Sequence, residues 1–267
     1  MRKKGPLILV GGNEDKQKER KILAAVASEI GDGHLLLITA ATNLPDEVAD
    51  EYRRLFRELG VRHIEPVDVR RREQGYDEAL LKKVGGAAGA FITGGDQLRL
   101  TSQLGGTPLL TALRSLHDSG GLLAGTSAGA AAMPDAMLIA GASDRSYQLH
   151  DLTMSAGLGV LCCVTVDTHF SQRGRISRLI GAATQNPEIL GLGIDEDTAV
   201  VIRRGGEQFH VLGAGAVYVV DGTDISFSSL AERHPEGIVT VHDVRLHVLG
   251  EGQGFDLSQR RPVVRSG

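Results

Sequence analysis

An apolar run, Gly121-Leu122-Leu123-Ala124, leads directly into Gly125-Thr126-Ser127-Ala128-Gly129. A strand that ends in Gly-x-Ser-x-Gly and turns at once into a helix is the pattern of a nucleophile elbow. The turn is so tight that only small residues fit around the serine, whose hydroxyl then stands above the sheet. The backbone N–H groups that follow point into the same space, so a nucleophile and an oxyanion hole arise together. The competing reading is a Gly/Ala-rich turn leading into a small-residue helix.

The rest of the chain agrees with a strand-and-helix frame. Apolar strand segments at 6–10, 35–40, 64–69, 88–93 and 121–124 alternate with helical patterns at 16–30, 45–59, 76–84 and 108–119. The run 35–40 is continuously apolar, as expected of a parallel strand covered on both faces. Pro108 after Thr107 reads as a helix start. Such alternation implies right-handed βαβ units around a mostly parallel sheet. The second half differs: a strand at 160–167, a helix at 175–183, then short β-rich segments at 191–194, 199–203, 210–213, 217–220 and 239–249. The expected fold is α/β, a three-layer α/β/α sandwich with antiparallel strands at one edge. With 267 residues and 42% hydrophobic content, one domain spanning 1–267 is the expectation. Residues 255–267, polar and Arg-rich, read as a loose tail.

Composition removes several functions. A net charge of −4 and a pI near 6.1 give no basic field for nucleic acid. The two cysteines, Cys162 and Cys163, are adjacent. Neighbours in a strand point to opposite faces, so they read as small buried hydrophobes rather than a disulfide. No Cys/His spacing resembles a zinc site, and no Gly-x-Gly-x-x-Gly or Walker A run occurs, so no metal or cofactor is expected. The charged start hints at a signal peptide, but the apolar run that follows is short and ends at Gly11-Gly12. No segment is long enough to cross a membrane, and a cytoplasmic location is the simplest expectation.

A serine nucleophile needs a base, and the base needs an orienting group. Of nine histidines, His169 alone follows a strand, Val164-Thr165-Val166-Asp167-Thr168, into the region where α/β sites gather. Glu196 follows another apolar, Gly-containing strand; Asp195 and Asp197 compete with it for the same role. The order Ser…His…Glu differs from that of α/β-hydrolases. At a further strand exit, Gly94-Gly95-Asp96-Gln97, glycine lets an N–H approach an oxyanion, Gln97 can bind a polar group, and Asp96 can cap a helix. Arg173, Arg175 and Arg178 crowd the start of a helix, against its dipole. Substrate-carboxylate binding accounts for them, and pairing with Asp residues is the rival account.

Five pieces together resemble the cyanophycinase family of serine peptidases, the family that includes aspartyl dipeptidase E. They are Gly-Gly-Asn-Glu-Asp at 11–15, Gly-Gly-Asp-Gln at 94–97, Gly-Thr-Ser-Ala-Gly-Ala at 125–130, Asp-Thr-His-Phe-Ser-Gln-Arg-Gly-Arg at 167–175 and Gly-Ile-Asp-Glu-Asp-Thr-Ala at 193–199. The resemblance implies a fold related to class I glutamine amidotransferases, and a homodimer. It implies Ser127 as nucleophile, His169 as base and Glu196 as orienter, with Gly95 and Ala128 N–H groups at the oxyanion. It implies a pocket of Gln97, Asp167, Thr168, Arg173, Arg175 and Arg178; the family often has Gln where this chain has Thr168. The implied substrate is cyanophycin, a poly-aspartate with arginine on each β-carboxyl, cut to β-aspartyl-arginine. An aspartyl dipeptidase acting on Asp-X peptides is the alternative.

Overall fold

The computed structural model describes residues 4–141, 152–203, 205–232 and 237–263. Five parallel strands form its first half: β1 (Leu7–Val10), β2 (His34–Ile38), β3 (His63–Val67), β4 (Gly89–Ile92) and β5 (Leu122–Thr126). Six helices accompany them: α1 (Lys21–Ile30), α2 (Pro45–Glu58), α3 (Glu78–Gly85), α4 (Gln97–Leu104), α5 (Pro108–Asp118) and the short α6 (Ala128–Ala131). Their starts are written locally. Pro45 opens α2 with Asp46 and Glu47 in its first turn, and Asp77 and Asp96 cap α3 and α4. The Thr107 hydroxyl accepts the Leu110 N–H at the head of α5.

The second half comprises β6 (Ala136–Ala140), β7 (Thr153–Ala156), β8 (Val164–Thr168), α7 (Ile176–Gln185), β9 (Leu190–Ile194), β10 (Thr198–Ile202), β11 (Gln208–Gly213) and β12 (Val217–Asp221). It ends in β13 (Phe227–Ser228), β14 (Val241–His242), β15 (Arg245–Leu249), β16 (Gly254–Asp256) and β17 (Arg261–Val263). The main sheet has the order β17-β16-β11-β10-β1-β5-β4-β2-β3, with its antiparallel strands at one edge. Its two faces are built by alternation along each strand. Ile8, Val10, Leu35, Leu37, Phe91 and Ala124 pack on α1 and α2. Leu7, Leu9, Leu36, Ile38, Ile92 and Leu123 join the opposite core with residues of α4 and α5.

Three differences from expectation stand out. First, β8, β9, β12 and β15 form a separate four-stranded sheet, order β15-β12-β9-β8. Val166, Leu192, Ile194, Val217 and Val219 of this sheet share one core with Val200 and Val211 of the main sheet. Its other face carries α7 through Leu179, Ala182, Phe170 and Val220. The sandwich is therefore three-layered only over the parallel strands. Second, the segment read as a tail is a hairpin, β16 and β17, laid on β11. Arg260 in its turn donates to the buried Asp221 carboxylate at 2.8 Å and to the carbonyls of Pro187 and Glu188. Residues 264–267 lie outside the described residues. Third, Cys162 and Cys163 are exposed, because Cys163 turns left-handed (φ 59°) before β8 begins.

Among the described residues no helix is long and apolar enough to cross a membrane. The aromatic trio Tyr52, Phe56 and Phe91 anchors α2 to the sheet, with Phe91 fully buried and 4.9 Å and 5.4 Å from the other two ring centres. Phe91→Ala is expected to destabilise the chain by about 3–5 kcal/mol through the cavity left. Denaturant unfolding measures it; a midpoint within error of the parent would contradict this packing account.

Candidate active site

Ser127 is the hinge between β5 and α6, with φ 51° and ψ −115°. Such a backbone is strained for a residue with a side chain and survives only where its surroundings over-determine it. The two glycines of the motif supply the room. A Cβ on Gly125 would sit 2.6 Å from the Gly129 carbonyl carbon, and a Cβ on Gly129 would sit 2.3 Å from the Ile92 carbonyl oxygen. The Ser127 N–H donates to the Val10 carbonyl at 3.0 Å, tying the elbow to β1. The expected elbow is thus present.

Ser127 Oγ lies 2.8 Å from His169 Nε2, and His169 Nδ1 lies 2.7 Å from Glu196 Oε1. Each group leaves a different strand end. Ser127 follows β5, His169 follows β8, and Glu196 sits in the turn between β9 and β10. The Glu196 carboxyl is held below the usual carboxylate range, first by the bond from His169 and next by one from Asn13. An ionised carboxylate only accepts, so Nδ1 carries the ring proton and Nε2 is free to take one from the serine. The neighbouring acids do other work. Asp195 accepts the N–H groups of Ser171 and Ala216, and Asp197 accepts that of Asp15.

The N–H of Ala128, first residue of α6, has no intrahelical acceptor. Gly94 presses against the serine: a Cβ there would sit 3.3 Å from Ser127 Cβ. Gly95 (φ 144°) is held against the Ala41 carbonyl, 2.2 Å from where its Cβ would be, and its N–H bonds nothing among the described residues. The Asp96 carboxylate caps α4, and Gln97 donates its amide to the Leu138 carbonyl.

Most of the residues expected at a substrate pocket bond to one another. Asp167 is buried and receives both Arg175 and Arg178, and Arg175 also donates to the Thr168 carbonyl at 2.7 Å. Asp167, Arg178 and Thr168 are all under a tenth exposed. The arginines at the head of α7 therefore pair with the strand-end Asp167, and burial without that partner would be costly. Asp167 Oδ1 accepts from both arginines and Oδ2 from Arg178, so two guanidinium groups already meet its charge. Arg173 is the exception: it is exposed and makes no ion pair among the described residues.

Several residues that hold the site were given no role by the sequence reading, and all but Gln172 lie in the loop after β1. The Gly11 carbonyl accepts the His169 N–H at 2.8 Å and the Gly12 carbonyl accepts that of Asp197 at 2.9 Å. The flat face of Gly12 (φ 100°) lies under the imidazole, where a Cβ would come within 2.4 Å of Cε1. The Asn13 amide donates to Glu196 Oε2 at 2.9 Å. Gln172 Oε1 accepts the Glu196 N–H at 3.1 Å. The available signal was position, since 11–15 lies at a strand exit beside β5.

Comparison with known proteins supplies the family. Residues 7–212 match peptidase family S51. The chain belongs to peptidase family S51. This S51 peptidase is 38% identical over 260 residues to a cyanophycinase of Trichormus variabilis, spanning 96% of this chain and 87% of that one. It is 37% identical over 260 residues to the cyanophycinase of Geminocystis herdmanii, spanning 96% and 95%. Among solved structures it is similar to a peptidase from an acI-B1 actinobacterium, with TM-score 0.71, 25% identity and 96% and 98% coverage. A peptidase E protein of Listeria monocytogenes, described as putative, shares the fold at TM-score 0.55 and 16% identity, over 79% of this chain and 100% of that one.

Two outcomes follow from the loop. Gly12→Ala should displace the imidazole and cut turnover by about a hundredfold while the protein still folds; near-parental turnover would refute the contact. Asn13→Ala removes a donor that favours the ionised acid, so Glu196 should titrate at higher pH than in the parent. Carboxyl-carbon NMR reads this directly, and an unmoved titration contradicts the assigned bond.

Proposed function

We propose that this S51 peptidase is a serine-type exopeptidase that hydrolyses the backbone of cyanophycin, multi-L-arginyl-poly-L-aspartate, to β-aspartyl-arginine dipeptides. The observation that carries the reading is the Ser127–His169–Glu196 relay, set in a chain that matches proteins named cyanophycinase almost end to end. His169 Nε2 takes the Ser127 proton as the hydroxyl attacks a backbone carbonyl. Negative charge develops on the carbonyl oxygen, and the Ala128 N–H with one near Gly95 receives it. The leaving amine takes the proton from the imidazolium, which releases the first product. Water, deprotonated by the same ring, then attacks the ester; the acid product departs and the serine regains its proton. Glu196 keeps Nδ1 protonated and offsets the charge of the imidazolium.

Recognition is assigned more narrowly than the sequence suggested. Arg173 is the exposed cation that meets a substrate carboxylate, and Arg175, only partly exposed, is held by Asp167 and the Thr168 carbonyl. Gln97 keeps its amide oxygen for a polar substrate group. A cytoplasmic homodimer belongs to the same proposal, on the resemblance alone.

The test is incubation of the purified chain and of Ser127→Ala with cyanophycin, followed by mass spectrometry of the soluble products. The parent should release β-aspartyl-arginine, and Ser127→Ala should lose at least about a thousandfold in rate. Undiminished release by Ser127→Ala overturns the mechanism. Faster turnover of Asp-Leu than of polymer by the parent would favour the dipeptidase reading instead.

A further inference from the structure

Glu14 is a buried acid next to the relay that the reaction as described does not use. It is 3% exposed, and both its oxygens are engaged. Oε1 accepts the Tyr52 hydroxyl at 2.5 Å and Oε2 accepts the Thr126 hydroxyl at 2.6 Å. Burial and the neighbouring Glu14 push the Tyr52 phenol well above its ordinary range, so it stays a donor. Tyr52 is itself fixed, by Phe56 and Phe91 on its ring and by Lys16 4.6 Å from its ring centre. The acid is therefore seated on a rigid part of α2.

What Glu14 holds at its other end is the residue directly before Ser127. Thr126 is the last residue of β5, paired in register with Val10 through the backbone. That pairing fixes the strand; the hydroxyl bond to Glu14 fixes the rotation of a β-branched side chain at the point where the strand stops. Immediately beyond it the chain enters the strained Ser127 conformation, which needs constraint on both sides. Constraint after Ser127 comes from the Gly125–Gly129 contact, and Glu14 supplies it before.

We propose that Glu14 is a positioning residue for the nucleophile: its carboxyl group, buried between the Tyr52 and Thr126 hydroxyls, clamps the end of β5 so that the Ser127 hydroxyl stays on His169. The inference rests on Ser127 being the nucleophile. It links the loop after β1 to the third member of the relay, since the same loop already holds His169 through Gly11 and Gly12 and Glu196 through Asn13.

The experiment compares the parent with Glu14→Gln, Thr126→Val and the double variant. Three readouts are taken: the second-order rate at which a fluorophosphonate modifies Ser127, kcat and KM on cyanophycin, and the melting temperature. Thr126→Val removes the same bond without touching the acid, so it decides the matter if Glu14→Gln does not fold. Each single change should slow modification and lower kcat by about tenfold or more, through a misplaced hydroxyl. KM should stay within about twofold, because binding groups are untouched. The double variant should be no slower than the slower single, as expected when both act through the one Glu14–Thr126 contact. Folded variants that react at the parental rate, whether or not they melt earlier, overturn the inference and leave a merely structural acid. A parent that is not modified at Ser127 overturns the nucleophile reading instead.

Discussion

The carbonyls of Gly11 and Gly12 each accept one backbone N–H, from His169 and Asp197, and the relative placement of His169 and Glu196 depends on those two bonds. His169 belongs to the end of β8 in the four-stranded sheet, whereas Ser127 belongs to the end of β5 in the main sheet. Glu196 lies where the chain crosses from one sheet to the other, between β9 and β10. A relay divided in this way would drift if the sheets moved independently. Backbone bonds are short and directional, so a loop that bonds both strand ends fixes them more firmly than side-chain packing would. Gly12 can serve because it presents no Cβ to the imidazole and tolerates a positive φ.

The same economy of space governs the elbow. Gly125, Gly129 and Gly94 let three backbone segments meet around one serine, and any side chain at the first two would collide with backbone rather than with a movable group. Charge is handled differently. The surplus of arginine at the head of α7 is absorbed by Asp167 at the end of β8, one strand residue before Thr168 and two before His169. That ion cluster anchors α7 to the strand that leads to His169, and Arg173 is left exposed.

Much of this was legible in the residue order, and the parts that were not have identifiable causes. The elbow could be read because its demand for small residues is local. His169 could be read because it follows an apolar strand, whereas the strand ending at Ile194 offered Asp195, Glu196 and Asp197 alike and only the family resemblance singled out Glu196. Helix α1 begins at Lys21 rather than near Lys16 because the Asp15 carboxylate accepts the N–H groups of Gln17, Lys18 and Arg20, which keeps those residues out of the helix. The pairing of Asp167 with Arg175 and Arg178 depends on how a helix folds back over a strand, which spacing alone does not convey. The C-terminal hairpin was misread as a tail because its anchor, Arg260 on Asp221, joins residues far apart in the chain. Strand alternation in the second half says which residues face a core and is silent on which sheet a strand joins; the second sheet was missed for that reason.

One loop after β1 bonds the segments that carry His169 and Glu196 in register with Ser127 across two sheets, and the proposed reactivity of the serine depends on that register. The most direct measurement is a crystal structure of the protein after reaction with a fluorophosphonate. Phosphorus should be bonded to Ser127 Oγ, the phosphonyl oxygen within hydrogen-bond reach of the Ala128 N–H, and His169 and Asp197 still bonded to the carbonyls of Gly11 and Gly12. Phosphorus on another residue, or an imidazole turned away from Ser127 with those two backbone bonds broken, would contradict it.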